Sequence, residues 1–170
     1  TGAEVTAVAK TYEGFSFDED NTGNVLRGTI AGDGSLVLKL YYNRDTYNVT
    51  YNGNEATSGN TEDTEDYRHG AEATVKGSGF ERTGYTFDGW NTEADGSGTA
   101  YAANDKITMT GNVTLYAQWM ANTNTGYKVE HYQQNVTGEG YTLKDTDDLT
   151  GTTGAEVTAV AKTYEGFSFD

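Results

Sequence analysis

The chain has no cysteine, so neither a disulfide framework nor a thiolate metal site is open to it. Basic residues are scarce: 11 Lys and Arg stand against 26 Asp and Glu, for a formal net charge of −15. Such a chain repels the phosphate backbone of nucleic acid and, for the same reason, an anionic membrane surface. No local cluster reverses this, because the net charge is −2 over residues 1–44, −8 over 45–121 and −5 over 122–170. The acidity instead keeps an extended molecule soluble and self-repelling. No apolar run has the length of a transmembrane helix or the form of a signal peptide, so membrane insertion is not expected; this says nothing about export. Histidine is limited to His69 and His131, which fall in different segments, with no nucleophile elbow or Gly-rich phosphate loop beside them. An enzyme is not expected, nor a cofactor.

What the chain has instead is glycine, 22 residues of it, and tyrosine, 13. Four runs alternate with the two-residue period of a half-buried strand. Ser35–Tyr42 sets Leu36, Leu38 and Leu40 against Val37, Lys39 and Tyr41, and Thr46–Tyr51 puts Tyr47, Val49 and Tyr51 on one side. Asn112–Trp119 sets Val113, Leu115, Ala117 and Trp119 against Thr114, Tyr116 and Gln118. Tyr127–Tyr132 sets Tyr127, Val129 and His131 against Lys128, Glu130 and Tyr132. Between them AGDGS, NGN, TGN, ADGSG and TGEG supply the positive-φ residues that tight turns need. The best helical candidate is a short turn at Tyr101–Lys106. The expected class is mainly β, with α+β as the alternative.

Residues Thr1–Asp18, TGAEVTAVAKTYEGFSFD, recur unchanged at Thr153–Asp170. Chance does not produce such an identity, so the offset from 1 to 153, 152 residues, is a repeat period. A weaker repetition lies inside it. GAEVT at Gly2 and Gly154 is echoed by GAEAT at Gly70, and EGFSFD at Glu13 by TGYTFD at Thr83. GSLVLKLYY at Gly34 is echoed by GNVTLYAQW at Gly111, and YKVEHY at Tyr127 by YNVTYN at Tyr47. Tyr47 to Tyr127 is 80 residues, which leaves 72 to complete the 152-residue period. Two diverged modules of one fold therefore alternate. Residues 45–121 are one complete module, 1–44 the back part of the other, and 122–170 the front part of its next copy. The expectation is a one-period window on a longer array.

The stretch GYTFDGWNTEADGSGTAYAANDKITMTGNVTLYAQW (Gly84–Trp119) resembles the Listeria–Bacteroides, or internalin B-type, repeat over roughly 45–121. The marks are Gly84, Tyr85, Phe87, Gly89 and Trp90, a Gly-rich turn, then Leu115, Tyr116, Ala117 and Trp119. Many members place a proline before the Gly-Tyr-x-Phe segment; FERTGYTF here has none. The other module, split between 122–170 and 19–44, resembles the mucin-binding-protein-type repeats of Gram-positive surface proteins. The resemblance implies small β-grasp-like or ubiquitin-like modules in tandem on an elongated, cell-wall-attached or secreted adhesin. It implies no catalytic residues.

The aromatic set Tyr85, Phe87, Trp90 and Trp119, with Leu115, reads first as core: a module under 80 residues needs large side chains to bury enough surface. A sugar-stacking platform is the alternative. Tyr42, Tyr116 and Tyr132, taken as examples from the exposed faces of the Tyr-rich strands, are the better ligand candidates. Asp18 and Asp20 begin a calcium-loop pattern at DEDNTGN, but Thr29 stands where the bidentate Glu belongs. The Asn-Val-Thr triplets at Asn48, Asn112 and Asn135 match a glycosylation acceptor, yet two lie in expected strands. TEDTEDYRHG (Thr61–Gly70) reads as a solvated loop. Lys39 or Lys128 could brace a module through an isopeptide bond to Asn.

Three functions follow. The first is a stalk that projects a binding domain, its partners being neighbouring repeats of the same chain. The second is weak, multivalent binding of host glycan or mucin. The third is head-to-tail self-assembly, residues 122–170 of one molecule completing the module left open by 1–44 of another.

Overall fold

The structure, a computed structural model, describes residues 2–169; Thr1 and Asp170, the outer ends of the duplicated stretch, lie outside the described residues. All regular structure within it is strand, so the molecule is mainly β. In chain order the strands are β1 (Glu4–Thr6), β2 (Phe15–Phe17), β3 (Arg27–Thr29), β4 (Tyr42–Arg44), β5 (Thr46–Tyr47), β6 (Val49–Asn52), β7 (Ser58–Gly59) and β8 (Tyr67–Arg68). There follow β9 (Glu72–Thr74), β10 (Phe80–Glu81), β11 (Tyr85–Asn91), β12 (Ala100–Tyr101), β13 (Lys106–Thr108), β14 (Val113–Ala121), β15 (Thr125–Gln134) and β16 (Tyr141–Gly151).

The central segment is organised by a four-stranded sheet in the order β12-β11-β14-β6, with β14 and β6 parallel and the rest antiparallel. The two-residue alternation is what makes this possible: Tyr47, Val49 and Tyr51 point inward while Thr46, Asn48 and Thr50 face out. Val49, Tyr51, Ala73, Val75, Trp90, Ile107, Met109, Leu115 and Ala117 form the core, so every buried hydrophobic among the described residues lies in 45–121. The ring of Trp90 meets Tyr51 and Phe87 edge-on, with centroids 4.8 and 5.1 Å away. A bulge between Phe87 and Gly89 shifts the register of β11 against β14. That extra residue changes the phase of the alternation, which brings Phe87 and Trp90 onto one side although they are three positions apart.

The pairings repeat as the sequence does. Glu4–Thr6 pairs antiparallel with Arg27–Thr29 as Glu72–Thr74 does with Lys106–Thr108. Phe15–Phe17 pairs with Tyr42–Arg44 as Tyr85–Phe87 does with Trp119–Ala121. Tyr47 faces Tyr67 in β5–β8 as Tyr127 faces Leu149 in the β15–β16 hairpin.

Three expectations are corrected. Ser35–Tyr42 is not a continuous strand: Leu36, Leu38 and Leu40 are half buried and Val37 and Lys39 exposed, as alternation demands, but only a bridge at Lys39 and β4 form. The equivalent run, Val113–Tyr116, lies against a parallel partner in β6; Ser35–Leu40 has no such neighbour. Asn48 and Asn112 lie just outside strands. Asn48 fills the gap between β5 and β6, and the Asn112 Oδ1 accepts its backbone N–H at 3.0 Å, closing one end of the parallel pair. Tyr101–Lys106 is a strand-linking turn and not a helical one, with Asn104 at φ 74° and the Asp105 carboxylate accepting the Ala102 N–H at 2.7 Å.

Candidate functional site

Two junctions along the chain are made from equivalent residues. At the first, Asp45 N–H donates to the Gly14 carbonyl (2.9 Å) and His69 N–H donates to the Asp45 carbonyl (2.8 Å). At the second, Asn122 N–H donates to the Gly84 carbonyl (2.9 Å) and Thr153 N–H donates to the Asn122 carbonyl (2.9 Å). A side-chain bond repeats too: Ser16 Oγ reaches Asp45 Oδ1 at 2.6 Å, and Thr86 Oγ1 reaches Asn122 Oδ1 at 2.7 Å. Gly14 and Gly84 stand at the corresponding place of the two echoing segments, and His69 and Thr153 each precede the Gly-Ala-Glu stretch that follows.

Glycine is required at this place for two reasons. Both residues have positive φ, 71° and 81°, where a side chain strains the backbone. Both also approach the next segment closely: a Cβ on Gly14 would sit 2.0 Å from the His69 ring, and one on Gly84 2.8 Å from the Thr153 side chain. The first junction is further held by Arg44, whose Nη1 donates to the His69 carbonyl at 3.0 Å with its guanidinium 4.7 Å from the Phe15 ring centroid. His69 touches both sides, its ring centroid 6.5 Å from Phe15 and 6.0 Å from Tyr47.

Trp90 and Leu115 are fully buried, and Phe87 and Trp119 pack half buried against them. Both indoles are spent on backbone: Trp90 Nε1 donates to the Lys76 carbonyl at 2.9 Å, and Trp119 Nε1 to those of Gly53 and Asn54 at 3.0 and 2.9 Å. Tyr85 lies at the margin of this core, half buried, with the Arg82 guanidinium 4.0 Å above its ring. The ligand candidates lie on three different sheets. Tyr42 is half buried, its hydroxyl accepting the Lys10 N–H at 2.9 Å and its ring edge-on to Tyr12 at 5.0 Å. Tyr116 is half buried in β14, and Tyr132 is exposed in β15 with its hydroxyl donating to Glu130.

Asp18 accepts from Asn21 Nδ2 at 3.1 Å, bracing its own turn. Among the described residues no group of three or more His, Cys, Asp or Glu side chains is placed to hold a metal, Asp18 and Asp20 included. Lys128 pairs with Asp148. The loop at Thr61–Gly70 holds one group that its sequence does not reveal: the Asp63 side chain is enclosed, 0% exposed. It accepts from Glu65 N–H (3.1 Å) and the Tyr67 hydroxyl (3.0 Å), and Lys76 Nζ lies 3.2 Å away. Burial pushes its pKa up, but these donors outweigh burial and hold it below the ordinary carboxylate value. The Tyr67 phenol, by burial and by its bond to Asp63, is pushed up to about 12.

Two proteins of Evansella cellulosilytica are similar to this chain. One, provisionally named a membrane protein, is 41% identical over 90 residues, which are 52% of this chain and 14% of that protein. The other, provisionally named a Gly-rich membrane protein, is 34% identical over 124 residues, 72% of this chain and again 14% of that protein. The chain thus spans a small part of the length of each. No solved structure matches it significantly. Residues 47–118 match the Listeria-Bacteroides repeat domain, the family that Gly84–Trp119 resembles.

Proposed function

We propose that the chain is a stalk segment of a repetitive bacterial surface or secreted adhesin, in which each module fixes the angle of the next. Residues 45–121 are one module, and 1–44 and 122–170 are the back and front of an alternating module of the mucin-binding-protein type. The observation that carries this reading is the equivalence of the two junctions at Gly14–Asp45–His69 and Gly84–Asn122–Thr153. A hinge for independent domains needs length and freedom; here one linker residue is bonded on both sides. With a constant turn per module, reach grows in proportion to the number of modules. The repeat family and the membrane-protein names of the relatives support a place at the cell surface.

The test is the relative orientation of 1–44 and 45–121 in solution, from residual dipolar couplings of the intact chain. The reading predicts one shared alignment tensor; separate tensors would overturn it. Weak binding of glycan or mucin is favoured by a single observation, the exposure of Tyr132. Glycan binding by the chain that Tyr132→Ala abolishes would make it a binder and not only a spacer.

A further inference from the structure

The two equivalent junctions differ in one chemically important place. Where the second has Thr153, its hydroxyl hydrogen-bonded to that of Thr125, the first has His69, whose ring Nδ1 is buried without a hydrogen-bond partner. A buried polar atom left unpaired is rare and asks for a reason. The His69 backbone is fixed at both ends: its N–H donates to the Asp45 carbonyl at 2.8 Å, and its carbonyl accepts from Arg44 Nη1 at 3.0 Å. The ring lies over the Gly14 backbone, so closely that a Cβ added there would fall 2.2 Å from Nδ1. Phe15 and Tyr47 flank it, with centroids 6.5 and 6.0 Å away. Moving this ring therefore means parting residues 14–15 from Tyr47.

Imidazole is the side chain that ordinarily changes charge between about pH 5 and 8. Neutral, it carries its proton on Nε2 and leaves Nδ1 as a bare acceptor; charged, it has a donor on both nitrogens. The added Nδ1–H is then enclosed without an acceptor, which penalises the closed junction. The charged groups around the ring do not relieve this. Arg44, in β4, brings a like charge, with its guanidinium 4.7 Å from the Phe15 ring centroid. Asp45, between β4 and β5, has its Oδ1 occupied by the Ser16 hydroxyl at 2.6 Å. Glu13, just before Gly14, and Arg68, in β8, are exposed. Were the Asp45 carboxylate to turn to Nδ1–H, Ser16 would lose it and a link to β2 would break. Either response loosens the junction.

We propose that His69 is a proton-operated latch on the first junction. With a neutral ring it holds residues 1–44 at a fixed angle to 45–121; on taking up a second proton it releases them. Protons favour the open form because there both ring nitrogens reach water. The second junction has a hydroxyl in the corresponding place, and its bonded residues Gly84, Thr86, Asn122 and Thr153 carry no charge that pH could change. One angle along the chain then depends on acidity and the other does not. This rests on the stalk reading, since without a fixed angle there is nothing to release.

The intact chain is compared at about pH 7.5 and about pH 5.5, either side of the imidazole range. Residual dipolar couplings, the His69 ring signals and amide protection factors, corrected for intrinsic exchange, are recorded together. Protection of the Asp45 and His69 amides should fall as the ring titrates, by at most about tenfold per pH unit, the limit for one proton. Residues 1–44 and 45–121 should pass from one alignment tensor to two, while Asn122 and Thr153 keep their protection. His69→Thr, which copies the second junction, and His69→Gln, which gains no charge, should each abolish the change; either suffices should the other fail to fold. Three results would overturn the latch: a ring that titrates while Asp45 and His69 stay equally protected, a ring that takes up no proton in this range, or the same loss in a folded variant. One tensor at both pH values would sink the latch and leave the stalk reading standing. Separate tensors already at the higher pH would sink the stalk reading, and the release with it.

Discussion

Asp63 illustrates how much a single enclosed carboxylate organises. It gathers the Glu65 N–H, the Tyr67 hydroxyl and Lys76 around it, and the Lys76 backbone N–H in turn donates to the Tyr51 hydroxyl at 2.8 Å beside the core. Asp63→Ala leaves the Tyr67 phenol without its acceptor and takes the counter-charge from Lys76, whose Nζ keeps only the Glu62 carbonyl at 2.9 Å, and a cost of about 1–3 kcal/mol is expected from chemical denaturation. Because the folded pKa of Asp63 is lowered, its contribution is complete above the unfolded value near 3.9 and is lost as pH falls through the folded value. Tyr67 acts at the other end: with a pKa raised to about 12, it stabilises the fold below the unfolded value near 10 and ceases to as pH rises through the folded one. An acid titration in which Asp63→Ala shifts the unfolding midpoint as much at low pH as at neutrality would refute this assignment. Trp90, with 1% exposure, is the largest fully buried side chain among the described residues, and Trp90→Ala is expected to cost about 3–5 kcal/mol in the same assay. Trp90 and Leu115 stand out in the sequence because bulky apolar residues at alternating positions mark themselves. Asp63 does not, since nothing in TEDTED distinguishes the one carboxylate that turns inward from those that stay in water.

At the scale of elements, alternation tells which face of a strand is buried but not which strand lies beside it. Leu36, Leu38 and Leu40 have the inward face expected of them and still make no continuous strand, because pairing depends on a neighbour distant in sequence. The parallel pairing of Val49–Asn52 with Val113–Tyr116 is of the same kind: no local signal announces it. The bulge in β11 is likewise silent, yet it decides that Phe87 and Trp90 share a side. The junction glycines are legible only in part. Gly14 and Gly84 mark themselves by recurring in echoing segments, but the reason for them, the His69 ring and Thr153 side chain pressed against them, lies more than fifty residues further along the chain. Gly84→Ala is expected to cost about 1–2 kcal/mol from its left-handed backbone alone. Gly14→Ala must in addition displace a ring, so it should cost more and should broaden the amide signals of His69 and Asp45. Equal thermal shifts for the two variants would argue that the close approach of the His69 ring contributes nothing.

For the molecule as a whole, the distribution of the core is decisive. All buried hydrophobics among the described residues fall between Val49 and Ala117, so stability is concentrated in the central repeat and the flanks draw theirs from the junctions and from local pairing. Amide hydrogen exchange should therefore show strong protection across β6, β9, β11 and β14, with residues 154–169 exchanging close to the rate of free peptide. Uniform protection along the chain would contradict this. The two-level repetition was plain from the sequence, since identity over eighteen residues needs no structure to be seen. That the two identical copies differ in pairing was not, because the difference lies wholly in what surrounds them.

The parallel pair at the heart of the central repeat has a mechanical meaning. The chain enters this repeat through Val49–Asn52 and leaves it through Val113–Ala121, and these two strands are hydrogen-bonded neighbours running the same way. Tension applied through the junctions at Asp45 and Asn122 pulls the two strands in opposite directions along their common axis. The ladder is loaded in shear, so its bonds must rupture together and cannot be opened one at a time like a zip. Under tension along the chain, this parallel pair is the part of the central repeat that yields last.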